Sequence, residues 1–189
     1  DLLVFGDEVG DQWRETINLR GRVELDTHES DVVYLGASSM AFRNISSFFR
    51  LLYEPKDPID AFGFASLRFA FHPGNFGVPG NDLGITVTIG EHSAPLFYGR
   101  WSSLVDLDRK EWQLVDIPLE SFDLDVITRI GFWGRGQGTF YVDDIRLVAV
   151  AAPTKPPVAT AVRERRTPAR CPVTSLWSRT IPIRLTLRP

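Results

Sequence analysis

The stretch Gly138-Thr139-Phe140-Tyr141-Val142-Asp143-Asp144-Ile145-Arg146-Leu147-Val148 decides the fold. It is rich in β-branched and aromatic residues and has neither proline nor internal glycine, so it reads as a strand. Period-two alternation puts Tyr141, Asp143, Ile145 and Leu147 on one face. Asp143 is the odd member, because a carboxylate on an apolar face needs a cation or several hydrogen-bond donors.

Working outward, the rest of the first 150 residues repeats this character. Trp112 to Ile117 alternates, and Ile127 to Trp133 and Ala94 to Trp101 read as further strands. Ile85-Thr86-Val87-Thr88-Ile89 is β-branched at every position. Ser66 to His72 alternates with Leu67, Phe69 and Phe71 on one face. Pro73-Gly74-Asn75 and Pro79-Gly80-Asn81 bracket a loop. Ser38 to Phe49, extended through Tyr53, Thr16 to Leu25, and Leu2 to Phe5 complete the set. The one helical suggestion is a short turn near Glu120-Ser121-Phe122. Many short strands with turn residues between them predict an all-β protein, a two-sheet β-sandwich of the jelly-roll kind.

The chain has 189 residues, 43% of them hydrophobic and 12% aromatic, which is globular composition. Its net charge of −3 provides no basic field for nucleic acid. No apolar run approaches the roughly 18 residues that span a membrane. Cys171 is the single cysteine, so no internal disulfide forms. Asp1 to Phe5 reads as an opening strand and not as a signal peptide, so a processed protein or a piece of a longer one is expected. After Val150 the composition changes. Residues 151–169 form a Pro-rich linker starting at Ala151-Ala152-Pro153-Thr154-Lys155-Pro156-Pro157, with the basic cluster Arg163-Glu164-Arg165-Arg166 inside it. Residues 170–189 lack apolar patterning and are expected to be a disordered tail.

Three segments together carry a family resemblance: Glu111 to Phe122 (EWQLVDIPLESF), Ile127 to Trp133 (ITRIGFW) and Gly138 to Val148. They resemble the C-terminal half of galactose-binding-like β-sandwich domains, among them the carbohydrate-binding modules attached to bacterial glycoside hydrolases and lyases. Leu2 to Trp13 and Phe64 to Gly74 resemble earlier parts of the same domains. The resemblance covers most of residues 1–150. It implies a non-catalytic carbohydrate-binding module of a secreted polysaccharide-degrading protein, with a catalytic domain upstream. It also implies a structural Ca2+ held by acidic groups of the first and last strands. Asp7, Glu8, Asp143 and Asp144 match those places, and oxygen ligands suit Ca2+. The alternative for these residues is a carboxylate that accepts backbone N–H bonds in a loop, with no metal.

Saccharides present apolar C–H faces and many hydroxyls, so their sites combine flat aromatics with amide, carboxylate or guanidinium partners. The candidates are Trp13, Tyr98, Trp101 and Trp133, with Arg100, Arg135 and Gln137 as polar companions. Trp112 opens an alternating strand and is expected in the core. A cell-surface adhesion or protein-interaction module is the second reading. A small jelly-roll glycoside hydrolase or polysaccharide lyase is the third. For that third class, His28, His72, His92 and Tyr98 show no catalytic spacing, and no nucleophile-elbow, zinc-protease or phosphate-loop motif occurs. His72, before Pro73, is expected to be a solvated turn residue.

The tail has a coding explanation. Leu176 to Leu185 (LWSRTIPIRL) can be back-translated so that codons starting one nucleotide earlier read LEQNYPNPF. That string resembles the start of the C-terminal sorting domain of proteins exported by the type IX secretion system of Bacteroidetes-like bacteria. On this reading the tail is out of frame, Cys171 and Trp177 are accidents of frame, and the protein is extracellular or on the cell surface.

Overall fold

A computed structural model of the chain describes residues 1–19, 23–45, 48–78, 84–98 and 102–151. Across them the alternating runs pair into two antiparallel six-stranded sheets. The first sheet runs β11 (Gln113–Pro118), β7 (Phe64–His72), β14 (Gly138–Ala149), β4 (Ser39–Ile45), β3 (Glu24–Glu29), with β1 (Leu2–Phe5) also paired to β14. The second runs β10 (Ser102–Ser103), β9 (His92–Tyr98), β8 (Ile85–Ile89), β13 (Ile130–Gly134), β5 (Phe49–Pro55), β2 (Trp13–Leu19). A small ribbon joins β6 (Ile59–Asp60) to β12 (Val126–Ile127). The expected turn is a 3-10 segment at Leu119–Phe122, whose Leu119 and Phe122 are buried.

The sheets pack face to face as a sandwich because each carries one apolar face. Leu67, Phe69 and Phe71 of β7 point inward and are fully buried, as their alternation predicts. Phe69 meets Phe132 of the opposite sheet edge to face, with ring centroids 5.2 Å apart. Phe42 stacks on Phe140 at 4.5 Å, and both reach across to Phe49, at 5.2 Å and 5.6 Å. Cutting one such ring to alanine costs about 3–5 kcal/mol, so this aromatic seam is a large share of what holds the layers together.

Two runs expected as single strands are each divided between the sheets. Thr16 to Leu25 contains the end of β2 in the second sheet and the start of β3 in the first. Ser38 to Tyr53 is β4 in the first sheet and most of β5 in the second. Apolar periodicity marks a buried face but is the same for either sheet, so it cannot show where a chain crosses over.

The strand that decides the fold also departs from simple alternation. Phe140 and Val142 are fully buried, and so are Ile145 and Leu147, although the two pairs differ in parity. A bulge between Asp143 and Arg146 inserts the extra residue. Asp144 takes φ 51°, the left-handed region that an aspartate tolerates better than most residues. Tyr141 and Asp143 therefore face outward, while Ile145 and Leu147 face the core. The expectation that all four share one face is corrected by this bulge.

Candidate functional site

The outer face of the second sheet carries the best-placed sequence candidate. Trp133 lies on β13, an interior strand, with its neighbours Phe132 and Gly134 buried and its own ring half-exposed. Register sets Arg50 of β5 on one side of it and Thr86 of β8 on the other. The next outward row is Leu52, Gly131 and Thr88. Thr86 and Thr88 are 7% exposed and Leu52 8%, so these outward positions are themselves buried. Gly131 is required there, because a Cβ would come within 2.5 Å of the Leu51 carbonyl oxygen. Phe48 flanks Trp133 at 6.1 Å between ring centroids. Further out, Arg14 of β2 is in register with Glu54 of β5. A flat ring and a guanidinium thus share one face, which can stack an apolar ring face and hydrogen-bond its substituents.

The other candidates are distributed differently. Arg135 and Gln137 have exposed side chains on the connection from β13 to β14, and Gln137 exchanges two 2.8 Å main-chain hydrogen bonds with Gly77. Trp13 is corrected to a core residue. It is 4% exposed and its indole nitrogen is buried without a hydrogen-bond partner, so it offers no ring face to a ligand. Tyr98 ends β9, paired with Ser102, and its side chain lies outside the described ones. Arg100 and Trp101 lie outside the described residues.

The four acidic candidates do not converge on a common point. Asp143 is fully buried beneath the loop that precedes β4. Its Oδ2 accepts the N–H groups of Tyr34 and Leu35 at 2.9 and 3.0 Å, and its Oδ1 accepts that of Asp144 at 2.7 Å. Burial pushes the Asp143 carboxyl above its usual range, opposed by those main-chain donors. Asp7 Oδ1 accepts the N–H groups of Ala37 and Ser38 at 2.6 and 2.8 Å, and these donors, Ser38 first, hold its carboxyl below the usual range. Asp144 pairs with Arg146, and Glu8 is exposed. No group of three metal-ligating side chains occurs among the described residues. A Ca2+ ion takes six to eight oxygens, and of the four carboxylates Asp7 and Asp143 accept main-chain N–H groups here while Asp144 faces Arg146.

Sequence reasoning missed Arg50, Thr86 and Thr88, although each sits at an outward position of an alternating run. It also misplaced Trp112 and His72. Trp112 is half-buried on the outer side of the first sheet, 5.7 Å from the Tyr34 ring and 5.4 Å from His72. His72 packs edge to face on Tyr141 at 5.7 Å, and its Nδ1 accepts the Gly74 N–H at 3.0 Å. It is a braced ring and not a solvated turn residue.

No family model matches the chain, and no curated protein matches it. Solved structures do resemble it. One is the family 11 carbohydrate-binding module of a cellulosomal cellulase of Clostridium thermocellum, with TM-score 0.49 and 16% identity over 78% of this chain and 94% of that one. The same family 11 module in complex with a β-1,3-1,4-mixed-linked tetrasaccharide gives TM-score 0.47 at 15% identity, over 79% and 95% of the two chains. A non-crystalline-cellulose-specific module, CBM28, gives TM-score 0.44 at 10% identity, over 74% and 89%.

Proposed function

We propose that this chain is a non-catalytic carbohydrate-binding module that holds a polysaccharide on the outer face of its second sheet. The observation that carries the reading is Trp133, half-exposed on an interior strand and flanked in register by Arg50 and Thr86. A pyranose ring stacks its C–H face on the indole, and its hydroxyls reach the Arg50 guanidinium. Affinity electrophoresis against mixed-linkage β-glucan, xylan, mannan and alginate tests this. At least one glycan retards the protein, and Trp133→Ala weakens that retention about tenfold or more, the equivalent of one lost stacking contact. Retention by none of them near a millimolar overturns the reading.

The setting we propose is a secreted protein that degrades polysaccharide, with a catalytic domain upstream whose local substrate concentration this module raises. Calcium has no part in the proposal, given how Asp7 and Asp143 are engaged. Extracellular or cell-surface placement follows from the shifted-frame reading of residues 170–189 as a type IX sorting signal. The coding DNA tests that directly. Codons for Leu176 to Leu185 that cannot yield LEQNYPNPF in the shifted frame sink it.

A further inference from the structure

Beyond the Trp133 face, the first sheet carries a second aromatic surface that packing of the core does not require. On its outer side Tyr34, Trp112, His72 and Tyr141 form a continuous chain of rings, with centroids 5.4 to 5.7 Å apart. Tyr34 is 43% exposed, and the other three are half-exposed. No hydrogen bond engages the Tyr34 hydroxyl, the Tyr141 hydroxyl or the Trp112 indole N–H among the described residues. The rings therefore present polar tips as well as apolar faces.

The surface is held in place before any ligand arrives. The N–H of Gly74 donates to Nδ1 of the His72 ring. Gly74, at φ 52°, packs so closely that a Cβ there would lie 3.1 Å from the Tyr141 ring. Tyr34 is fixed through its own N–H on Asp143. Lys110 and Gln113, close to Trp112 in sequence, line a cleft of ≈ 740 Å³ together with Phe76, Asp106 and Asp108 among others. Its wall is braced as well. Gln113 Nε2 donates to the carbonyls of Asp106 and Arg109 at 2.7 and 3.2 Å, and its Oε1 accepts the Asp106 N–H at 2.8 Å. The Asp108 carboxylate and the Lys110 ammonium add hydroxyl-binding groups of both signs.

We infer that Trp112, Tyr34, His72 and Tyr141, with the cleft that Lys110 and Gln113 line, form a second saccharide site on the side of the sandwich opposite Trp133. Its ligand is a neutral pyranose glycan. One ring stacks on Trp112 within reach of the tyrosine hydroxyls, and the next lies in the cleft against Asp108 and Lys110. Preorganised aromatic walls with polar groups at their edge are what such a ligand needs, because little ordering cost remains to be met on binding. The inference rests on the class of ligand proposed above but not on the Trp133 face itself.

Titration calorimetry of the full chain with hexasaccharides of mixed-linkage β-glucan, xylan and mannan tests it, alongside gel retardation on the parent polymers. Two sites are expected in the unaltered protein. Trp112→Ala removes one and weakens retention of its glycan about tenfold, while the Trp133→Ala variant keeps that site. Tyr34→Ala, at an exposed loop position, gives a smaller loss in the same direction and guards against misfolding of the tryptophan variant. A single site abolished by Trp133→Ala and untouched by Trp112→Ala and Tyr34→Ala overturns the inference and leaves the proposed function standing. A single site lost in Trp112→Ala alone supports the second surface and removes the Trp133 face. Binding of no glycan by any form overturns both.

Discussion

Asp7 and Asp143 grip one loop at successive points, Asp143 through the N–H groups of Tyr34 and Leu35 and Asp7 through those of Ala37 and Ser38. The two aspartates come from just after β1 and from β14, so the loop before β4 ties the first strand's exit to the last strand. Between the two contacts Gly36 sits at φ 84°, where a Cβ would lie 2.5 Å from the Asp7 carboxylate. The loop in turn carries Tyr34 to the aromatic surface of the first sheet.

Removing the buried partner should release that loop. Asp143→Ala leaves the N–H groups of Tyr34, Leu35 and Asp144 without their acceptor. The expected loss is about 3 kcal/mol or more, which lowers Tm by roughly 10 °C. Chymotrypsin should then cut after Tyr34. Asp143→Asn keeps one carbonyl acceptor and should lose less. Because the carboxylates are taken by N–H donors, millimolar Ca2+ or EDTA should move the wild-type Tm by under about 1 °C. A larger rise with Ca2+ would show that the acidic groups rearrange around the ion.

Acid should loosen the same loop through Asp7. Its carboxyl titrates below the ordinary 3.8 in the folded protein because the N–H groups of Ser38 and Ala37 favour the anion. The unfolded chain then takes up the proton first as pH falls. The stability Asp7 contributes is present above pH 3.8 and is lost as pH falls through the lower folded value. Asp7→Ala should accordingly lower Tm at neutral pH, with the gap to wild type narrowing below pH 3.8. A gap of constant size in melts across that range would remove Asp7 from the acid response.

Much of the sandwich is written in local patterns, because β7 and β8 carry inward rows that no other element type would explain. Two kinds of information are not local. The sheet to which a strand belongs depends on pairing partners distant in sequence, which is why Thr16 to Leu25 and Ser38 to Tyr53 each concealed a crossover. The exposure of an aromatic depends on what covers it. Trp13 opens β2 and Trp112 immediately precedes β11, yet the first points into the core and the second onto the outer side of the first sheet. Trp133 was legible as an aromatic beside the Gly-rich, polar run Gly134 to Gly138, although the structure sets it on β13 and not in a loop. Tyr34 was not, because a loop residue has no periodicity, and its place follows from Asp143 more than a hundred positions away.

The parity of Asp143 itself depends on one backbone angle, which gives a test with a built-in control. Asp144 sits at φ 51°, a conformation that costs a residue with a Cβ about 1–2 kcal/mol and costs glycine little. Asp144→Gly and Asp144→Ala both lose the ion pair with Arg146, so that loss cancels between them. The glycine variant should therefore melt higher than the alanine variant, by about 1 kcal/mol or roughly 3 °C. The reverse order is what an extended strand would produce, since there glycine is the more costly residue by roughly 0.5–1 kcal/mol. It would mean that no bulge separates Val142 from Ile145, and simple alternation would return Asp143 to the face of Ile145 and Leu147. Its carboxylate would then be buried among the phenylalanines of the core, where no loop N–H could reach it. Thermal melts of these two variants decide whether the last strand turns its aspartate outward to hold the loop.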